Sequence, residues 1–138
     1  MPAKDAVSFV VREPSRRQRL LIVLRPPDDP DLPRAWGLPA GSRGPHEDWD
    51  EAVRRAGRDK LGVELRVGAL LNDGIAERAD YTLRMRLYDA EIVSGEPSVP
   101  QPYSAVTQYR AWEWADVARL TPAAARGSLC CRLLLEVS

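Results

Sequence analysis

The sequence predicts an α+β domain in which a mixed sheet is sandwiched between two main helices. Three observations predict it: N-terminal apolar runs rich in β-branched residues, a switch to helical spacing at Glu47, and a long alternating segment from Tyr81 to Val93. With 138 residues, 44% hydrophobic and 29% charged, the chain is long enough for one sizeable core and is expected to form a single domain over residues 1–138. The apolar fraction excludes wholesale disorder.

The hairpin comes first. Ala6 to Arg12 and Arg19 to Arg25 read as two strands joined by the polar segment Glu13 to Gln18. Pro26 to Pro33 holds four prolines and three aspartates and reads as a loop, because proline has no amide to donate to a ladder. From Glu47, residues Trp49, Ala52, Val53, Ala56 and Leu61 fall at helical spacing. Glu47, Asp48, Asp50 and Glu51 suit the positive end of the helix dipole, and Gly62 supplies the stop. Gly57 inside this helix is expected to cost about 1 kcal/mol relative to alanine.

Val63 to Leu71 reads as a strand, Asn72-Asp-Gly74 as a turn, and Tyr81 to Val93 as a long strand with Leu83, Met85 and Leu87 facing the core. A proline-bearing loop from Ser94 to Gln108 precedes a strand from Tyr109 to Trp114. Thr121, as N-cap, and Pro122 open one C-terminal helix with Leu129, Leu133 and Leu134 on its apolar face.

Charge and cysteine content narrow the function. Twenty basic residues balance twenty acidic ones, so there is no basic footprint of a nucleic-acid binder and no polybasic membrane anchor. All basic residues except Lys4 and Lys60 are arginine, scattered from Arg12 to Arg132, which reads as coding bias rather than a phosphate-binding cluster. No apolar run reaches the roughly 18 residues of a membrane span, and Met1 to Asp5 lacks the apolar stretch of a signal peptide. A cytoplasmic protein with no membrane and no nucleic-acid partner is expected. Cys130 and Cys131 are adjacent, so a mutual disulfide would be strained, and neither a bridge framework nor zinc spacing exists.

The stretch from Trp36-Gly-Leu-Pro-Ala-Gly41 to Leu61-Gly-Val63 resembles the signature box of the Nudix hydrolase family. That pattern is a glycine, five residues, a glutamate, seven residues, then Arg-Glu-aliphatic-x-Glu-Glu-x-Gly-aliphatic. Gly41, Glu47, Arg55, Gly62 and Val63 fall on it without a gap. The Trp-x-Leu-Pro motif before the box and the segment Trp114 to Leu120 are also typical of the family. The resemblance implies the Nudix fold and cleavage of a pyrophosphate in nucleoside diphosphate-linked compounds. It also implies a magnesium or manganese ion held by box glutamates, a nucleotide-type small molecule as ligand, and, by analogy, a homodimer.

Oxygen ligands suit such hard cations, and carboxylates three and four residues apart on one helix face can supply several together. At those box positions this chain carries Ala56, Asp59 and Lys60. Conventional activity is therefore expected to be weak or absent. If activity is retained, the resemblance assigns catalytic positions to Glu47, Arg55 and Asp59 and a metal site to Asp59 with Glu47 or Glu51. The rival reading is a module that binds a nucleotide or a partner without hydrolysing it. Glu47 and Arg55 are expected to tie the box loop to its helix. The family's further carboxylate has no counterpart between Pro100 and Gln108; Glu96 and Glu113 are the nearest candidates.

Each candidate carries two readings. Asp59 is a metal ligand or general base, or a solvated helix carboxylate paired with Arg55 or Arg58. Lys60 is a fixed charge for a ligand phosphate, or a surface lysine. Trp36 stacks on a base or packs beside the loop. His46, the only histidine, is a general base or simply exposed. Tyr103 lies in a loop that often borders the ligand in the family, and its role stays open.

Overall fold

The computed structural model describes residues 2–101 and 107–138. Strands β1 (Ala3–Glu13) and β2 (Arg16–Leu24) form the expected hairpin, followed by the short strands β3 (Trp36–Gly37) and β4 (Ala40–Ser42). Helix α1 (Trp49–Leu61) leads to the long strands β5 (Glu64–Glu77) and β6 (Thr82–Ser94). Strand β7 (Ala111–Asp116), one 3₁₀ turn and helices α2 (Thr121–Ala125) and α3 (Leu129–Glu136) complete the chain. The sheet is mixed: β1 runs parallel to β6, while β2, β4, β5 and β7 pair antiparallel to their neighbours.

β1 is buried over five consecutive residues, Val7 to Val11, because helices cover both faces of the sheet. Val7, Phe9, Leu21 and Val23 pack against Ala52, Val53, Ala56 and Leu61 of α1. Val10, Leu20, Ile22, Met85 and Leu87 pack against Leu129, Cys130, Cys131, Leu133 and Leu134 of α3. Leu83 is only partly buried against that second core.

Three expectations are corrected. Asn72-Asp-Gly74 is not a turn but lies inside β5, paired with Leu87, Arg86 and Met85. The reason is helix docking: Asn72 donates to the Leu133 carbonyl at 2.9 Å. A Cβ on Gly74 would meet Leu133 Cδ2 at 2.8 Å. Turn-forming residue types are used here to bring α3 onto the strand. The C-terminal helix is two helices, since Gly127 at φ 100° breaks the run and Ser128 caps α3 by accepting from the Cys131 amide. Thr121 is not an N-cap; it lies within α2, whose N-cap position is Leu120.

A further correction concerns Gly57. Its Cα faces Leu65, and a Cβ there would lie 2.6 Å from Leu65 Cδ1 and 2.8 Å from Cγ. Gly57 thus lets α1 lie close to β5. Gly57→Ala, which helix propensity alone would favour by about 1 kcal/mol, is expected instead to destabilise by about 1 kcal/mol net, because overpacking a filled core costs roughly 1–3 kcal/mol. Urea unfolding checks the sign, and a gain in stability would refute the packing argument. Gly62 ends α1 at φ 70°, its amide bonded to Arg58 O while the Val63 amide reaches Gly57 O, the left-handed cap that glycine adopts without strain.

Candidate functional site

The site lies where β4 and the loop after it meet α1. Gly41 of β4 packs on Ala56, since a Cβ on Gly41 would fall 2.9 Å from the Ala56 Cβ. Glu47 is not in the helix, as the sequence suggested, but in the loop before it. There it accepts from the Gly44 amide at 3.0 Å and from Arg55 Nε and Nη2 at 2.9 Å each, a two-pronged ion pair. Arg55 Nη2 also donates to the Ser42 carbonyl. One guanidinium therefore fastens strand, loop and helix together, which is the tie expected of this pair.

The Arg55 hydrogen bonds, helped by the Gly44 amide, hold the Glu47 carboxyl down to about 2. Because the folded-state value lies below the unfolded one, this pair contributes stability above about pH 4.5 and loses it as pH falls toward 2. Glu47→Gln is expected to cost about 1–2 kcal/mol at neutral pH and to flatten the acid limb of the stability profile. Chemical unfolding from pH 7 to pH 2 measures both, and an unchanged acid limb would count against the pair as its source.

A cleft of about 510 Å³ opens beside this tie, lined by Arg55, Ala56, Asp59 and Lys60 of α1, by Ala40 to Ser42, and by Arg25, Asp31, Arg78 and Tyr81. Four basic side chains line it, Arg25, Arg55, Lys60 and Arg78, against the two acids Asp31 and Asp59. Lys60 Nζ sits 4.9 Å from the centre of the Tyr109 ring. Burial and the nearby Arg25 lower the Lys60 pKa. Tyr109 is buried, its hydroxyl accepting from the Ala40 amide at 2.9 Å and donating to the Ala40 carbonyl at 3.1 Å, and burial pushes it up to about 12.

The family model for the NUDIX domain matches residues 2–129. The chain belongs to the Nudix family. Solved structures of similar fold agree. A NUDIX hydrolase from Nitrosomonas europaea superposes with a TM-score of 0.75 at 17% identity, covering 99% of this chain and 87% of that one. A MutT protein from Methanosarcina mazei Go1 gives 0.71 at 18%, covering 91% and 88%. A MutT NUDIX hydrolase from Burkholderia pseudomallei gives 0.71 at 24%, covering 86% of each. No curated protein matches the sequence significantly.

Within this Nudix fold the predicted site residues separate. Asp59 and Lys60 share the cleft with Arg55, whose Nη1 is 3.7 Å from Asp59 Oδ2. Glu51 faces away from it, paired with Arg54 at 3.1 Å and Arg58 at 3.0 Å. Trp36 is packed against the α3-side core with Arg119 over its ring at 5.5 Å, and it does not line the cleft. His46 is exposed. Glu113 pairs with Arg119 on β7, and Glu96 borders a different cavity. Tyr103 lies outside the described residues.

Arg25, Arg78, Tyr81 and Tyr109 were not singled out from the sequence. Only Arg25 carried a signal: it follows β2 directly, just before the proline loop, and pairs with Asp29, four residues on, at 3.3 Å. Asp29 in turn accepts from the Leu32 amide at 2.8 Å, which shapes that loop over the cleft. Among the described residues no helix is long and apolar enough to cross a membrane.

Proposed function

We propose that this Nudix protein binds a nucleotide-type small molecule through its phosphates in the box cleft, using fixed cations where the family uses a divalent metal, with pyrophosphate cleavage weak or absent. The observation that carries this reading is Lys60, which lines the same cleft as Asp59 from a position where the family places a carboxylate. The donor set does not fit magnesium or manganese. Ala56 offers no oxygen, Glu51 is committed to two arginines, and Asp59 has Arg55 within 4 Å. Among the described residues no three carboxylate, histidine or cysteine side chains gather. Like charges near 4 Å repel by about 4 kcal/mol at an effective dielectric of 20, so Lys60 and Arg55 oppose a cation and favour an anion. Two buried free cysteines are in keeping with a reducing, cytoplasmic setting.

Chelator-treated protein titrated calorimetrically with magnesium and manganese is expected to give no millimolar-or-tighter site. A parallel screen of ADP-ribose, dinucleoside polyphosphates, nucleotide sugars and oxidised nucleoside triphosphates, with thermal shift and turnover read together, decides between readings. A metal-free shift without turnover supports binding; metal-dependent turnover restores the hydrolase. Lys60 is faced by Arg25, Asp29, Asp59 and Tyr109. Its lowered pKa means that binding of any hit should weaken as pH rises through that value, since only the ammonium attracts phosphate. Lys60→Gln should weaken binding about tenfold and abolish this pH dependence.

A further inference from the structure

The ladder between β1 and β6 ends at Val11 and Ala90. β1 nevertheless continues to Glu13 and β6 to Ser94, each still paired on its far side, to β2 and β5 respectively. Beyond that last pair the two strands part, and a cavity of about 660 Å³ opens between the end of the hairpin, the end of β6 and β7. Its size is that of a small-molecule site, and it shares no lining residue with the box cleft. Its apolar surface, Val11, Val67, Ala90 and Ile92, belongs to the α1-side core. The apolar wall of the box cleft, Leu83, Met85 and Leu129, belongs to the α3-side core, so the two cavities lie on opposite faces of the sheet.

Trp112 and Trp114 of β7 line this cavity and are only half-buried. Their rings meet edge to face, with 5.6 Å between centres and 89° between planes. A guest ring that stacks on one of them meets the other side-on, and both arrangements are favourable. Neither indole N–H has a hydrogen-bond partner among the described residues, which leaves two donors open. At the mouth the charges are sorted. Arg66 is paired with Glu91 at 2.8 Å, and Arg12 lies 4.0 Å from Asp89. Arg17, at the start of β2, and Glu96, just after β6, also line the cavity and are exposed. Neither of these two side chains has a partner among the described residues. One cation and one anion are left over, so the charge complement of this mouth is a molecule that carries both signs. We propose that the cavity binds a small aromatic zwitterion, its ring against Trp112 and Trp114, its carboxylate toward Arg17 and its ammonium toward Glu96.

Phenylalanine is the probe, because it does not absorb where tryptophan is excited. Titrating the full chain with it into the low millimolar range is expected to change the tryptophan fluorescence saturably. Phenylpropionate and phenethylamine, which each keep the ring and one charge, should bind about tenfold more weakly, as should alanine, which keeps both charges without the ring. No saturable response to phenylalanine, by fluorescence or by calorimetry, would overturn the site. Equal affinity for either one-charge probe would overturn the zwitterion, and equal affinity for alanine would overturn the ring. Arg17→Gln should weaken phenylalanine about tenfold and leave phenethylamine unchanged, while Glu96→Gln should spare phenylpropionate in the same way. Both side chains are exposed, so neither change threatens the fold. Undiminished binding by both variants would place the ligand elsewhere. So would a fluorescence response that persists in Trp112→Phe/Trp114→Phe, where only Trp36 and Trp49 still report.

Discussion

Magnesium should stabilise the Ala56→Glu/Lys60→Glu variant strongly and leave the natural protein unmoved. The two changes place three carboxylates with Asp59 at spacings of three and four residues on the face of α1 that lines the cleft. Ala56 is 2% exposed and packs closely on Gly41, so a glutamate there must turn from that contact toward the cleft that Ala56 lines. Without metal the variant should lose about 1–3 kcal/mol, because a carboxylate enters a largely buried position and three like charges gather. That loss should be greatest at low salt. A ligand bound only by the folded state restores about 2.7 kcal/mol at a hundredfold excess over its dissociation constant, so thermal unfolding with and without magnesium separates the two states clearly. If neither stabilisation by metal nor metal-dependent cleavage appears, the missing ligands are not the whole cause. The segment from Pro100 to Gln108, which contains no carboxylate, would then be the better explanation.

The parts of the fold legible in the sequence are those that local chemistry decides. β1 and β2 carry apolar runs with β-branched residues, α1 has a helical stripe ended by Gly62, and β6 alternates from Thr82 to Leu87. The parts that were not legible are decided by tertiary contacts. Asn72 and Gly74 look like a turn until α3 is present to accept the Asn72 amide and to need the missing Gly74 side chain. Gly57 looks like a weak point until Leu65 is seen to fill the space above it. The site divides in the same way. Spacing placed Asp59, Lys60, Arg55 and Glu47 in one neighbourhood because they share one helix and its adjoining loop. Arg25 and Arg78, which follow the ends of β2 and β5 and are distant from α1 in sequence, complete the cationic lining, and no periodicity within the helix could have found them. Trp36, next to the box in sequence, packs its ring on the α3-side core, the second of the two readings it carried.

Asp5→Ala should cost about 2–3 kcal/mol, far more than its place near the end of β1 suggests. One Asp5 oxygen accepts from Arg43 Nη1 at 2.7 Å and the other from Arg84 Nε at 2.8 Å, and the Asp5 carbonyl accepts the Arg43 amide at 2.8 Å. The carboxylate is only 11% exposed and Arg43 only 21%, so removing it strands a largely desolvated guanidinium, the situation in which breaking an ion pair is expensive. Arg43 also stacks on one side of the network against Trp49 at 4.5 Å, with Arg86 near the same ring at 4.4 Å. Arg84 is 54% exposed, and its pair with Asp5 is of the kind worth less than about 1 kcal/mol. Arg84→Ala should therefore be nearly silent where Asp5→Ala is severe. Arg43 begins the loop that carries Glu47, so loss of Asp5 should also loosen the tie to Arg55. Hydrogen exchange at residues 43 to 48 should rise in Asp5→Ala and stay unchanged in Arg84→Ala. Equal and small costs for both substitutions would mean that Asp5 is an ordinary surface charge and that the box loop is held by Glu47 and Arg55 alone.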